Sequence, residues 1–166
     1  MSDIKIATLY SGSKGNSTYI RMADTAILID AGRSAKRLCK ALKDIGSDIE
    51  EIRAIFITHD HSDHISALET LCSHHNIPIH MTDRSASVYD MKPNSSVRQS
   101  ICRHDTEFDV ELDNVRVRSF KTPHDSLMSV GYRIEYTDPC GKTVSIGLAT
   151  DIGYVTDEII DRKSVV

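Results

Sequence analysis

A chain of 166 residues that is 40% apolar can bury one core and is too apolar to remain a disordered coil, so a single domain over residues 1–166 is expected. The formal net charge of −4 excludes the broad basic field that marks many nucleic-acid binders, and leaves any such affinity to local groups and bound cations. The N-terminus carries no charged segment followed by an apolar one, and no apolar run reaches membrane-spanning length; a cytoplasmic protein with no membrane partner is the expectation.

In chain order, "IKIATLY" (4–10), "STYIRM" (17–22) and "TAILIDAG" (25–32) are rich in β-branched and aromatic residues, and polar turns separate them. They predict an antiparallel meander. "SAKRLCKALKDIG" (34–46) follows with Leu38, Ala41, Leu42 and Ile45 on one helical face, Ser34 as N-cap and Gly46 at the C-terminal end. "RAIFIT" (53–58) predicts a strand buried on both faces, and "SALETLCSHH" (66–75) a helix. A second strand and helix are expected over 77–82 and 84–91, with Asp83 as N-cap. "EFDVEL" and "VRVRSFKT" alternate about "DN" (113–114) as a hairpin, and "SVGYRIEY" and "KTVSIGLAT" pair across 137–141. Cys39, Cys72, Cys102 and Cys140 form no C-x-x-C pair, so they are expected to be reduced and mostly buried thiols.

The chemistry concentrates in "ITHDHSDH" (57–64), at the junction of the 53–58 strand and the next helix. His-x-His on extended backbone directs both imidazoles to one side, so His59 and His61 suit one metal ion. Asp63 and His64 fall where the chain turns helical and suit a second ion beside the first. Further ligands must come from elsewhere, and His124 and Asp151 stand at later strand ends. A carboxylate such as Asp151 can bridge two cations about 3.5–4 Å apart. Asp30 also ends a strand. His74, His75, His80 and His104 lack such a pattern and are expected to be ordinary surface or core histidines.

"LIDAG" (28–32), "THDHSDH" (58–64), "TPHD" (122–125) and "ATDIG" (149–153), in that order, resemble the metallo-β-lactamase fold hydrolases. The early "SGSKGNS" (11–17) narrows the resemblance to the small bacterial exonucleases of the YycJ/WalJ type. The resemblance implies an α+β fold, an αβ/βα four-layer sandwich, with two divalent metal ions, zinc or manganese, on its rim. His59, His61 and His124 would hold the first, and Asp63, His64 and Asp151 the second, with Asp30 orienting ligands from behind. It also implies a longer chain and a final histidine ligand. No histidine follows His124 here, so an incomplete second half, an incomplete second site and self-association through uncovered core are expected.

The expected reaction is metal-assisted hydrolysis of a phosphodiester in nucleic acid, DNA ahead of RNA, by a 5′ to 3′ exonuclease. Asp63 would bind metal and orient the nucleophile, while Ser11, Ser13 and Asn16 of the small-residue loop would contact substrate. The alternatives are hydrolysis of a lactone, thioester or β-lactam by the same metal pair, and a metal-binding remnant without activity.

Overall fold

The computed structural model describes residues 4–122 and 129–150. The expected meander forms β1 (Ile4–Tyr10), β2 (Ser17–Met22) and β3 (Thr25–Ile29), paired antiparallel. The chain then crosses over through α1 (Ala35–Asp44) and runs parallel to β3 as β4 (Ile52–Phe56), followed by β5 (Ile79–Thr82) and β6 (Ile101–His104). The sheet order is β1-β2-β3-β4-β5-β6. Because β3 to β6 are parallel, all four deliver their C-terminal ends to one edge. A second sheet, order β10-β9-β8-β7, is antiparallel throughout: β7 (Asp109–Leu112), β8 (Val115–Lys121), β9 (Val130–Thr137) and β10 (Thr143–Leu148).

Two cores separate these layers. Leu38 and Leu42 of α1, with Leu68 and Leu71 of α3 (Leu68–His74), pack on Leu28, Ile55 and Ile79 of the first sheet. On its other face Ile20, Ile27, Ile29 and Phe56 meet Val117, Tyr132 and Ile134 of the second sheet. The described residues therefore stack as helix, sheet and sheet, three layers of the α+β sandwich that the four-layer expectation names. Alternation along β3 supplies both cores at once, which is why all five of its residues are buried.

Several local expectations are corrected. The strand expected over 25–32 stops at Ile29, because Asp30 adopts a φ of 63°. Helix begins earlier than expected after the histidine cluster, as the short α2 (Ser62–Ile65), and α3 resumes at Leu68. Thr82, not Asp83, caps α4 (Asp83–Ala86), its hydroxyl accepting from Ser85 N. Ser34 stands at the N-cap of α1 but makes no side-chain capping bond. The far end follows expectation: Gly46, at φ 74°, donates to Lys43 O while Ser47 N reaches Leu42 O, the paired bonds of a Schellman motif. β6 is absent from the expected strands because "ICRH" does not alternate apolar and polar residues. The cysteines are free as expected, yet none is fully buried, and Cys140 is exposed.

Candidate metal centre

Residues 57–64 leave the edge of the first sheet between β4 and α2. Backbone bonds lock that path to its neighbours: Val130 N donates to Thr58 O, Ala31 N to His64 O, Asn16 N to Asp63 O and Gly32 N to Asn16 O, all at 2.7–3.0 Å. Gly32 is the hinge of this arrangement. A Cβ there would lie 1.9 Å from Asp63 O and 2.4 Å from Asn16 N, so only glycine lets three segments close on one point.

Beneath the corner lies Asp30, 1% exposed. Its carboxylate accepts from Thr58 N at 2.8 Å, from the Thr58 hydroxyl at 2.9 and 3.1 Å, and from His64 Nδ1 at 2.8 Å. Burial raises the Asp30 pKa, and the His64 imidazole and Thr58 donors pull against that rise. The Thr58 hydroxyl gives its only proton to Asp30 and so accepts from His59 Nδ1, 3.0 Å away. These bonds assign both rings one tautomer, Nδ1–H inward and the Nε2 lone pair outward. A buried acid and a threonine thus aim two imidazoles that lie on either side of the strand-to-helix turn.

The rings cluster tightly, with centroids 4.5 Å apart for His59 and His61 and 4.0 Å for His59 and His64. His59 and His64 are buried, whereas His61 is exposed. Asp63 Oδ2 lies 3.5 Å from His64 Nε2. Neutral imidazole nitrogens beside a carboxylate oxygen are the donor chemistry of a divalent cation. Among the described residues no three His, Cys, Asp or Glu side chains form a complete metal-binding group, so the fit is one of converging pairs. His124 and Asp151, expected to add to those pairs, lie outside the described residues.

Of the expected substrate contacts, Ser11 and Ser13 are exposed on the loop beside the corner. The Asn16 side chain instead turns inward, onto Gly12, Asp63 and His64. Sequence reasoning missed two residues. Thr58 directly precedes His59 but gives no hint that its hydroxyl serves Asp30. Arg33 follows Gly32 with a φ of 74°, its guanidinium 5.3 Å over the Tyr10 ring. His80 and His104 bond to each other at 2.9 Å, and His75 bonds to Glu50 at 2.8 Å. No helix among the described residues is long and apolar enough to cross a membrane.

Comparison with known proteins adds relatives at several distances. Over 166 aligned positions the chain is 32% identical to exodeoxyribonuclease WalJ of Streptococcus pneumoniae, covering 96% of this chain and 59% of that protein. It is 27% identical to exodeoxyribonuclease YycJ of Bacillus anthracis, covering 94% and 57%. The chain thus spans less than three fifths of the length of these relatives. Among solved structures, a metallo-β-lactamase of Cronobacter sakazakii with a HARLDQ motif superposes with a TM-score of 0.68 at 20% identity, over 93% of this chain and 66% of the other. That likeness concerns the fold. The metallo-beta-lactamase superfamily model matches residues 10–138, the stretch that builds β2 to β6 of the first sheet, the Asp30–His64 corner and β7 to β9 of the second sheet, and the chain belongs to that superfamily.

Proposed function

We propose that the chain is the metal-binding portion of a hydrolase that cleaves phosphodiester bonds in nucleic acid, DNA ahead of RNA, removing nucleotides from the 5′ end. The observation that carries the metal-dependent part is the pair of oriented imidazoles over Asp30, joined by the Asp63 carboxylate. Support for the substrate comes from the two relatives named exodeoxyribonucleases. In this reading His59 and His61 would hold one ion together with His124, and Asp63 and His64 would hold another together with Asp151. Divalent cations there, zinc or manganese, supply Lewis acidity that lowers the pKa of water and draws charge from the phosphoryl group. Asp63, 27% exposed, is the carboxylate on the rim that can also accept a proton from the attacking water.

One feature favours a phosphate over a carbonyl substrate. Arg33 stands next to the Gly32 cradle, and among the described residues its guanidinium makes no hydrogen bond or ion pair; its partner is the Tyr10 ring. A guanidinium stacked on a ring and without an ion pair among the described residues is suited to a phosphate oxygen. Lys14, Lys36 and Arg37 are exposed and lie close to Arg33 or to the 11–17 loop in sequence. Ser11 and Ser13 can add hydroxyls to the same phosphate.

The test is release of label from 5′-labelled duplex DNA with zinc or manganese, with His61→Ala as control and ester, lactone and β-lactam substrates alongside. Release by the wild type alone supports the reading; equal release by both proteins, or turnover confined to carbonyl substrates, refutes it. Self-association belongs to the same proposal. Ile4 and Ile6 of the edge strand β1 are 37% and 52% exposed, and Ile6 pairs with Ile20 on the face that meets the second sheet. That apolar overhang supports association, which sedimentation of the chain would measure.

A further inference from the structure

The Asn16 side chain occupies a place that metal binding alone leaves unexplained. Its Nδ2 lies 3.0 Å from Asp63 Oδ2 and 3.1 Å from His64 Nε2, the two atoms assigned above to the second ion. Gly12 fixes which end of the amide points there: its N–H donates to Asn16 Oδ1 at 3.0 Å, and its carbonyl accepts from Nδ2 at 3.2 Å. A flipped amide would set oxygen against the carboxylate and against the Gly12 carbonyl. The backbone of Asn16 is clamped as well, donating to Asp63 O and accepting from Gly32 N, each at 2.8 Å. With Nδ1–H given to Asp30, the His64 ring has a single lone pair, on Nε2. Nδ2 has two N–H bonds for three acceptors, so the one that serves Asp63 Oδ2 is shared with this lone pair, 3.5 Å away from that oxygen. That share and a cation bound to Nε2 exclude one another, whereas a carboxylate oxygen has room for both.

We propose that the Asn16 side-chain amide competes with a cation for His64 Nε2, weakening the second metal site relative to the first. This rests on the assignment of the two metal pairs in the proposed function. Its consequence is staged loading, with the His59–His61 pair filled first. When a cation takes His64 Nε2, the amide keeps its bonds to Asp63 and Gly12.

The test titrates the chelator-treated chain with cobalt(II) or zinc(II), following each equivalent by absorption and calorimetry rather than by turnover. Loss of one competing hydrogen bond, worth about 1 kcal/mol net, tightens the second equivalent in Asn16→Ala about five-fold and leaves the first unchanged. Asn16→Asp, equal in size and carrying a carboxylate where the amide donor stood, tightens it further. In the 15N-labelled wild type, the Asn16 side-chain amide resonance moves with the second equivalent and not with the first. Second-equivalent binding no tighter than wild type in both variants overturns the proposal, as does an amide resonance indifferent to metal. Uptake of no cation by the wild type would bring down the metal assignment itself, and this inference with it. Normal uptake that is insensitive to Asn16 would bring down this inference alone.

Discussion

His59 and His64, where β4 leaves the sheet, and His80 and His104, on β5 and β6, are both pairs of close imidazoles near one sheet edge, and they differ in what surrounds them. Behind the first pair stand the Asp30 carboxylate and the Thr58 hydroxyl, which take the Nδ1 protons and turn the Nε2 lone pairs toward the rim. Around the second pair are aromatic faces. His80 stacks on Phe56 with centroids 4.8 Å apart, His104 stacks on Phe108 at 4.1 Å, and Tyr132 meets both phenylalanines edge-on. Burial, reinforced by neighbouring His104, lowers the His80 pKa to about 4. The first arrangement fixes a tautomer; the second packs flat rings together, His80 buried and His104 half-buried.

The most damaging way to break this contrast is Asp30→Ala, which leaves His64 and Thr58 buried without their acceptor. A loss of about 3–5 kcal/mol of stability is expected in denaturant unfolding. Metal affinity should fall about 10- to 100-fold in a competition titration, the usual cost of losing an orienting carboxylate. If affinity is unchanged, the aim of the rings does not come from Asp30.

The aromatic pair has a pH signature. The unfolded chain protonates His80 near pH 6.5, whereas the folded chain does so only near 4. The stability from keeping it neutral is therefore complete above about pH 6.5, declines as pH falls toward 4 and is gone below. The shift corresponds to about 3 kcal/mol. Unfolding free energies from pH 7 to 4 should show this decline in the wild type and lack it in His80→Leu; equal slopes would remove the distinction between the two pairs.

Thr58→Val sharpens the contrast by deleting one hydroxyl at nearly constant shape. Asp30 loses a donor and His59 Nδ1 an acceptor, for an expected cost of about 2 kcal/mol. Nitrogen chemical shifts of His59 should show its tautomer no longer held, while His80 stays unchanged. The smallest effect is expected from Tyr132→Phe, which removes a bond of 2.6 Å to Ile57 O just ahead of the corner. A loss of about 1 kcal/mol with unaltered metal affinity would show that the inter-sheet core supports the corner without aiming its ligands.

Much of this molecule is legible residue by residue. The strands of the opening meander and of the second sheet follow from alternation and turn residues, and the end of α1 follows from Gly46. His59, His61, Asp63 and His64 stand out by spacing alone as candidate cation donors, because H-x-H-x-D-H follows a buried strand. The misplaced features are short or depend on context. β6 carries no alternation in "ICRH", and the N-cap of α4 is Thr82 and not Asp83, because side-chain geometry and not residue type decides which oxygen reaches Ser85 N.

By itself, then, the sequence determines the local periods, the donor-rich turn and the acidic net charge, since these depend only on composition and on neighbours along the chain. Tertiary structure alone decides what those donors face. Asn16 meets Asp63 and His64 across 47 and 48 residues, and Asp30 meets His64 across 34. Those meetings depend on the parallel register of β3 and β4, on the left-handed turn at Asp30 and on the space a missing Cβ leaves at Gly32. The same packing separates two histidine pairs that look alike in sequence, because burial against a carboxylate and burial against aromatic rings have opposite consequences for a nitrogen lone pair.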